Sequence, residues 1–123
     1  MSKSKISDFD NLLQLCKECV QKETDGDQAV ALVFQDGKIE LLINRGVAQG
    51  NHSNEDALID TLAKGDRKTV KKAVCMWNDG TLDIPSANLR TRLRDGGFVN
   101  DESEILLSAG TNGNVIKTWN QIK

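Results

Sequence analysis

Residues 28–44, QAVALVFQDGKIELLIN, constrain the fold more than any other stretch. Two apolar, β-rich runs, QAVALVFQ and KIELLIN, flank Asp36 and Gly37, and Asp-Gly readily takes up the positive φ angles of a tight hairpin. The stretch therefore predicts an antiparallel strand pair that ends at Asn44. A second apolar run, KKAVCMWN at residues 71–78, reads as an interior strand, because it lacks the alternation of a half-exposed one. EILLSAG and NVIKTWNQI, separated by Asn112 and Gly113, add two more strands, the last with the option of turning helical.

The intervening segments have helical spacing. SDFDNLLQLCKECVQKE places Phe9, Leu12, Leu13, Cys16, Cys19 and Val20 on one face, with Ser7 or Asp8 available as the N-terminal cap. RGVAQGNHS is a Gly- and Asn-rich loop. NEDALIDTLAKG gives Ala57, Leu58 and Leu62 a common face and a stop at Gly65. DGTLDIP connects to SANLRTRLRDGG, a third helix. The order α-β-β-α-β-α-β-β predicts an α/β fold, a three-layer α/β/α sandwich with a mixed central sheet, in one domain spanning residues 1–123.

Composition excludes several classes of function. A net charge of −2 over 123 residues gives no bulk attraction for nucleic acid or anionic membranes. Arg90 and Arg94 share a helical face that Arg92 leaves, and with Arg67, Lys68, Lys71 and Lys72 they read as a solvated surface with little aromatic interleaving. No run reaches the ~18 apolar residues of a membrane span, and the N-terminus lacks the apolar core of a secretory signal. With three cysteines there is no disulfide framework, and a cytoplasmic location is expected. Cys16-x-x-Cys19 falls inside a helix, so both thiols, like Cys75, read as core. Trp77 reads as core and Trp119 as core or interface. FQDGK and GTNGN are turns, not phosphate loops.

SNEDALIDTLAKGD and PSANLRTRL, read in this order of elements, resemble the zinc-dependent cytidine deaminases and their blasticidin-type relatives. In that family one helix opens with Cys-Ala-Glu or His-Ala-Glu, and a later one with Pro-Cys-x-x-Cys, usually followed by Arg. The resemblance runs from about Phe9 to the C-terminus. It implies a cytidine deaminase-like fold, with Ser53 at the first ligand position, Glu55 at the catalytic glutamate, Ala57 on the packing side, Pro85 and Arg90 retained, and Ser86 and Leu89 at the two cysteine positions. Asn44 resembles the asparagine that holds a nucleoside sugar, while Gly46 stands where its companion glutamate would be. Oligomers are implied too, a homodimer or tetramer.

The substitutions matter more than the matches. A catalytic zinc takes three N or S ligands and leaves one position for water. Ser53, Ser86 and Leu89 supply none of these, and His52 in H-x-x-E has the wrong spacing to replace them. Zinc is expected to be absent. Ser53 with Asp56 instead reads as a capping box, and Ser86 as the cap of the third helix. The expected function is a non-catalytic, zinc-less cytidine deaminase-like domain that binds a protein or small ligand, with Asn44, His52, Ser53, Ser86 and Arg90 as the candidate ligand-binding residues. One alternative is a deaminase or other hydrolase using Glu55 in a non-standard site. Another is an unrelated small α/β interaction scaffold.

Overall fold

The computed structural model describes residues 4–23, 26–65 and 69–122. A short turn of 3-10 helix, Ile6–Phe9, leads into α1, Asp10–Val20; β1 is Gln28–Phe34, β2 Ile39–Asn44, α2 Ser53–Lys64, β3 Val70–Trp77, α3 Ala87–Asp95, β4 Glu104–Ser108 and β5 Asn114–Thr118. The last segment does turn helical, as a 3-10 turn over Trp119–Ile122. The five strands form one sheet in the order β2-β1-β3-β4-β5. Only β3 and β4 are parallel, and α3 is the crossover between them; the other neighbours are antiparallel, so the sheet is mixed as expected.

Alternation along the inner strands explains their unbroken hydrophobicity. Ala29 and Ala31 of β1 and Val74 and Met76 of β3 meet Phe9, Leu12, Cys16 and Val20 of the α1 layer. Val30, Leu32 and Phe34 of β1 and Ala73 and Cys75 of β3 point the other way, into Leu58, Leu62, Leu89, Leu93 and Trp119. Both faces are covered, one by α1 and the other by α2 and α3, so neither strand has a polar side to show. No helix of the described residues is long and apolar enough to cross a membrane.

Local expectations are corrected in five places. The hairpin loop has three residues, Gln35 to Gly37: Phe34 N–H donates to Lys38 O at 2.9 Å and Gly37 N–H to Phe34 O at 2.9 Å. Gly37 alone takes positive φ, at 88°, which marks a type I turn with a glycine bulge. The same design recurs after β3, where Trp77 N–H donates to Thr81 O, Gly80 N–H to Trp77 O, and Gly80 sits at φ 91°. Neither Ser7 nor Asp8 caps α1; the Asp8 carboxylate accepts instead from Lys5 N–H at 2.8 Å. Ala57 is exposed, and the buried face of α2 is Glu55, Leu58 and Leu62. Cys19 is half-buried where Cys16 and Cys75 are fully buried. Trp77 is half-buried too, because its indole N–H reaches outward to Asp83 Oδ2 at 2.9 Å.

Of the basic residues read as a solvated face, Arg67 and Lys68 lie outside the described residues. Arg92 pairs with Asp56 at 3.0 Å and Arg94 with Asp101 at 3.1 Å, all four substantially exposed. Lys72 donates to Asp8 O at the approach to α1. Trp119 is core, 2% exposed.

Candidate functional site

Three elements converge at one end of the sheet: the end of β2 and the first turns of α2 and α3. Gly46, at φ 70°, turns the chain out of β2 with its N–H donating to Asp27 Oδ1 at 2.8 Å. Asn51 then starts α2. Its Oδ1 accepts from Ser53 N–H at 3.1 Å and from the Ser53 hydroxyl at 2.7 Å, so Asn51 organises the helix start and Ser53 is not the cap. The expected capping box at Ser53 is therefore corrected: Ser53 is the first helical residue and His52 precedes it at the cap position. Asn54 fastens the same turn to β2 through Ile43 O at 2.8 Å. Pro85 and Ser86 open α3 as anticipated, with Leu89 N–H donating to Ser86 Oγ at 3.1 Å.

Glu55 occupies the centre and is fully buried. Its Oε2 accepts from Asn44 Nδ2 at 2.6 Å and from the Ser86 hydroxyl at 2.5 Å. Its Oε1 accepts from Asn88 Nδ2 at 3.0 Å and lies 2.8 Å from His52 Nδ1. Burial alone pushes the carboxyl up, but the hydrogen bonds from Ser86, Asn88, Asn44 and His52 together outweigh it and hold Glu55 below its ordinary value of 4.5. An ionised carboxylate only accepts, so Nδ1 of His52 carries the hydrogen in this contact. The first turns of α2 and α3 add their amide dipoles to the stabilisation of the anion.

The structure thus brings Asn44, His52, Glu55 and Ser86 together and leaves Ser53 and Arg90 out. The Ser53 hydroxyl is turned to Asn51. Arg90 was expected at the same cleft, but its Nε donates to Pro85 O and its Nη1 to Ile122 O, each at 3.0 Å, so its guanidinium faces the C-terminal turn. Sequence reasoning missed Asn88 and Asn51. An asparagine in a first helical turn carries no signal of a long-range partner, although Asn51 before Ser53 was visible as a turn residue. Gln28 was also missed. It is buried beside Asn44 in the β1–β2 register, and Oε1 of Gln28 and Oδ1 of Asn44 have no hydrogen-bond partner among the described residues. The two buried thiols supply no thiolate near neutral pH, because burial pushes Cys16 up to about 12 and Cys75 well above its ordinary value.

No family model matches the chain and no curated protein matches it by sequence. Its fold matches solved structures over nearly its whole length. The cytidine deaminase from Mycobacterium leprae is similar at 18% identity and a TM-score of 0.65, over 93% of this chain and 95% of that one. The cytidine deaminase from Mycobacterium tuberculosis is similar at 14% identity and a TM-score of 0.65, over 94% of this chain and 93% of that one. At these identities the likeness establishes a cytidine deaminase-like fold. The donor set does not fit the zinc that such a fold implies. No three His, Cys, Asp or Glu side chains converge among the described residues, Leu89 is locked in the core, and the Ser86 hydroxyl is engaged with Glu55 and Leu89.

Proposed function

We propose that this cytidine deaminase-like domain works by binding a small ligand or a protein, without zinc and without deamination. The supporting observation is the closed cage around Glu55. A general acid-base has to reach the proton it moves and to change protonation state near the working pH. Here the carboxylate is buried, its acceptor sites are taken by groups on β2, α2 and α3, and the cage keeps it ionised. Glu55 then serves as the polar keystone that holds two helix starts against the sheet, and half-exposed His52 is the member of the cage that a ligand meets. Exposed Ile39 and Leu41 on the edge strand β2 support assembly of the domain as a homodimer or tetramer, which solution mass would test.

The test is turnover of cytidine and deoxycytidine by protein purified without chelator and assayed with and without added zinc. No loss of substrate absorbance is expected in either condition. Zinc-dependent turnover abolished by Glu55→Gln would overturn the proposal.

One arrangement favours a second reading, a metal-independent hydrolase. An imidazole held by a carboxylate through Nδ1 presents Nε2 as a base, the geometry of the His52 and Glu55 pair. Zinc-independent turnover lost in both His52→Ala and Glu55→Gln would carry that reading.

A further inference from the structure

The exposed side of α3 meets the C-terminal turn across a groove of about 220 Å³, lined by Ala87, Arg90, Thr91 and Arg94 on one side and Trp119 and Ile122 on the other. Two guanidinium groups one helical turn apart border it. Arg90 is held in place by two neutral acceptors, Pro85 O and Ile122 O, and no carboxylate offsets its charge among the described residues. Arg94 gives Nη1 to exposed Asp101, while its Nη2 is buried with no acceptor among the described residues. A planar fork with donors to spare matches an oxygen anion bidentately, and a buried charged N–H without a partner is an unfavourable arrangement that such an anion relieves.

We propose that this groove binds a small oxyanion, a phosphate or carboxylate group, between Arg90 and Arg94. Arg90 is pre-oriented by its carbonyl anchors, so little side-chain freedom is lost on binding. Arg94 exchanges Asp101 for the ligand and turns its idle N–H groups into the groove, and Asp101, already exposed, returns to water. The exposed Thr91 hydroxyl is available as a further donor, and Ala87 leaves the rim open. Apolar Trp119 and Ile122 beneath strengthen the charged hydrogen bonds by lowering the local dielectric. Ser86 O of the Glu55 cage accepts from Arg90 N–H at 2.9 Å at the start of α3, but the Arg90 guanidinium is turned away from the cage to Pro85 O and Ile122 O, and the inference does not rest on the function proposed above.

The experiment titrates inorganic phosphate, and acetate in parallel, into the whole chain at constant ionic strength, read by amide NMR and calorimetry. Saturable shifts confined to residues 87–94, to Asp101 and its neighbours, and to residues 119–122 are expected, with phosphate alone, acetate alone or both saturating according to the anion class the groove accepts. Thr91→Glu places an internal carboxylate at an exposed helical position and should weaken binding at least about tenfold; Arg94→Lys keeps the charge, loses the fork and should weaken it about threefold or more. Non-saturating shifts with both salts, saturation elsewhere on the surface, or unchanged affinity in Thr91→Glu would each overturn the proposal. Should Arg94→Lys fail to fold, Thr91→Glu decides alone.

Discussion

Replacing Glu55 by glutamine separates a structural carboxylate from a working one. The substitution keeps the shape and removes the charge, and it exchanges one acceptor oxygen for an NH2 in a cage made of donors. A hydrogen bond to a charged group contributes roughly 1 kcal/mol more than a neutral one, so the four contacts set an upper figure of about 4 kcal/mol. Relaxation lowers it. Asn44 can turn its unpartnered Oδ1 toward the new NH2 and Ser86 can accept as well as donate, which brings the expected loss to about 2 kcal/mol. For a domain of this size that corresponds to a fall in Tm of roughly 8 °C. Urea unfolding at pH 7 should show a lower midpoint with an unchanged slope. Because the folded carboxyl lies below its ordinary 4.5, its contribution is complete above that pH and disappears as pH falls through the folded value. The gap between wild type and variant should therefore narrow below about pH 4.5. A variant as stable as wild type, or more stable, would refute the reasoning, because that is the behaviour of a carboxylate kept for chemistry.

Asn51→Ala should destabilise by about 1 kcal/mol through loss of the α2 start, while Ser53→Ala should cost less than about half of that; the reverse order in urea midpoints would restore Ser53 as the cap. Ser86→Ala removes both the α3 cap and a charged hydrogen bond to Glu55, and thermal unfolding should register a loss of about 2 to 4 kcal/mol. Leu89→Ala empties a fully buried core position, for which a loss of about 2 to 5 kcal/mol is expected by denaturant titration, with a loss below 1 kcal/mol showing that the site is not closely packed.

Much of the architecture is legible in the residues themselves. The runs around Asp36-Gly37 specify an antiparallel pair, unbroken AVCMW demands cover on both faces, and Pro85-Ser86 marks a helix start, because these are local properties of period, turn chemistry and capping. That Leu89 offers no metal donor is equally legible, since leucine has none whatever its surroundings. Other features depend on distances that no local pattern encodes. Ser53 and Asn51 compete for the same helix start two residues apart, and only the turn out of β2 decides between them. Arg90 is directed to Ile122 O, 32 residues away, and not to Glu55, because the C-terminal turn folds back over α3. Asn88 and Asn44 find Glu55 only because the starts of α2 and α3 meet the end of β2. A buried carboxylate must gather donors from wherever the fold brings them, and here they come from three elements far apart in sequence, so the cage exists only once the sheet and its two helix starts have closed on one another.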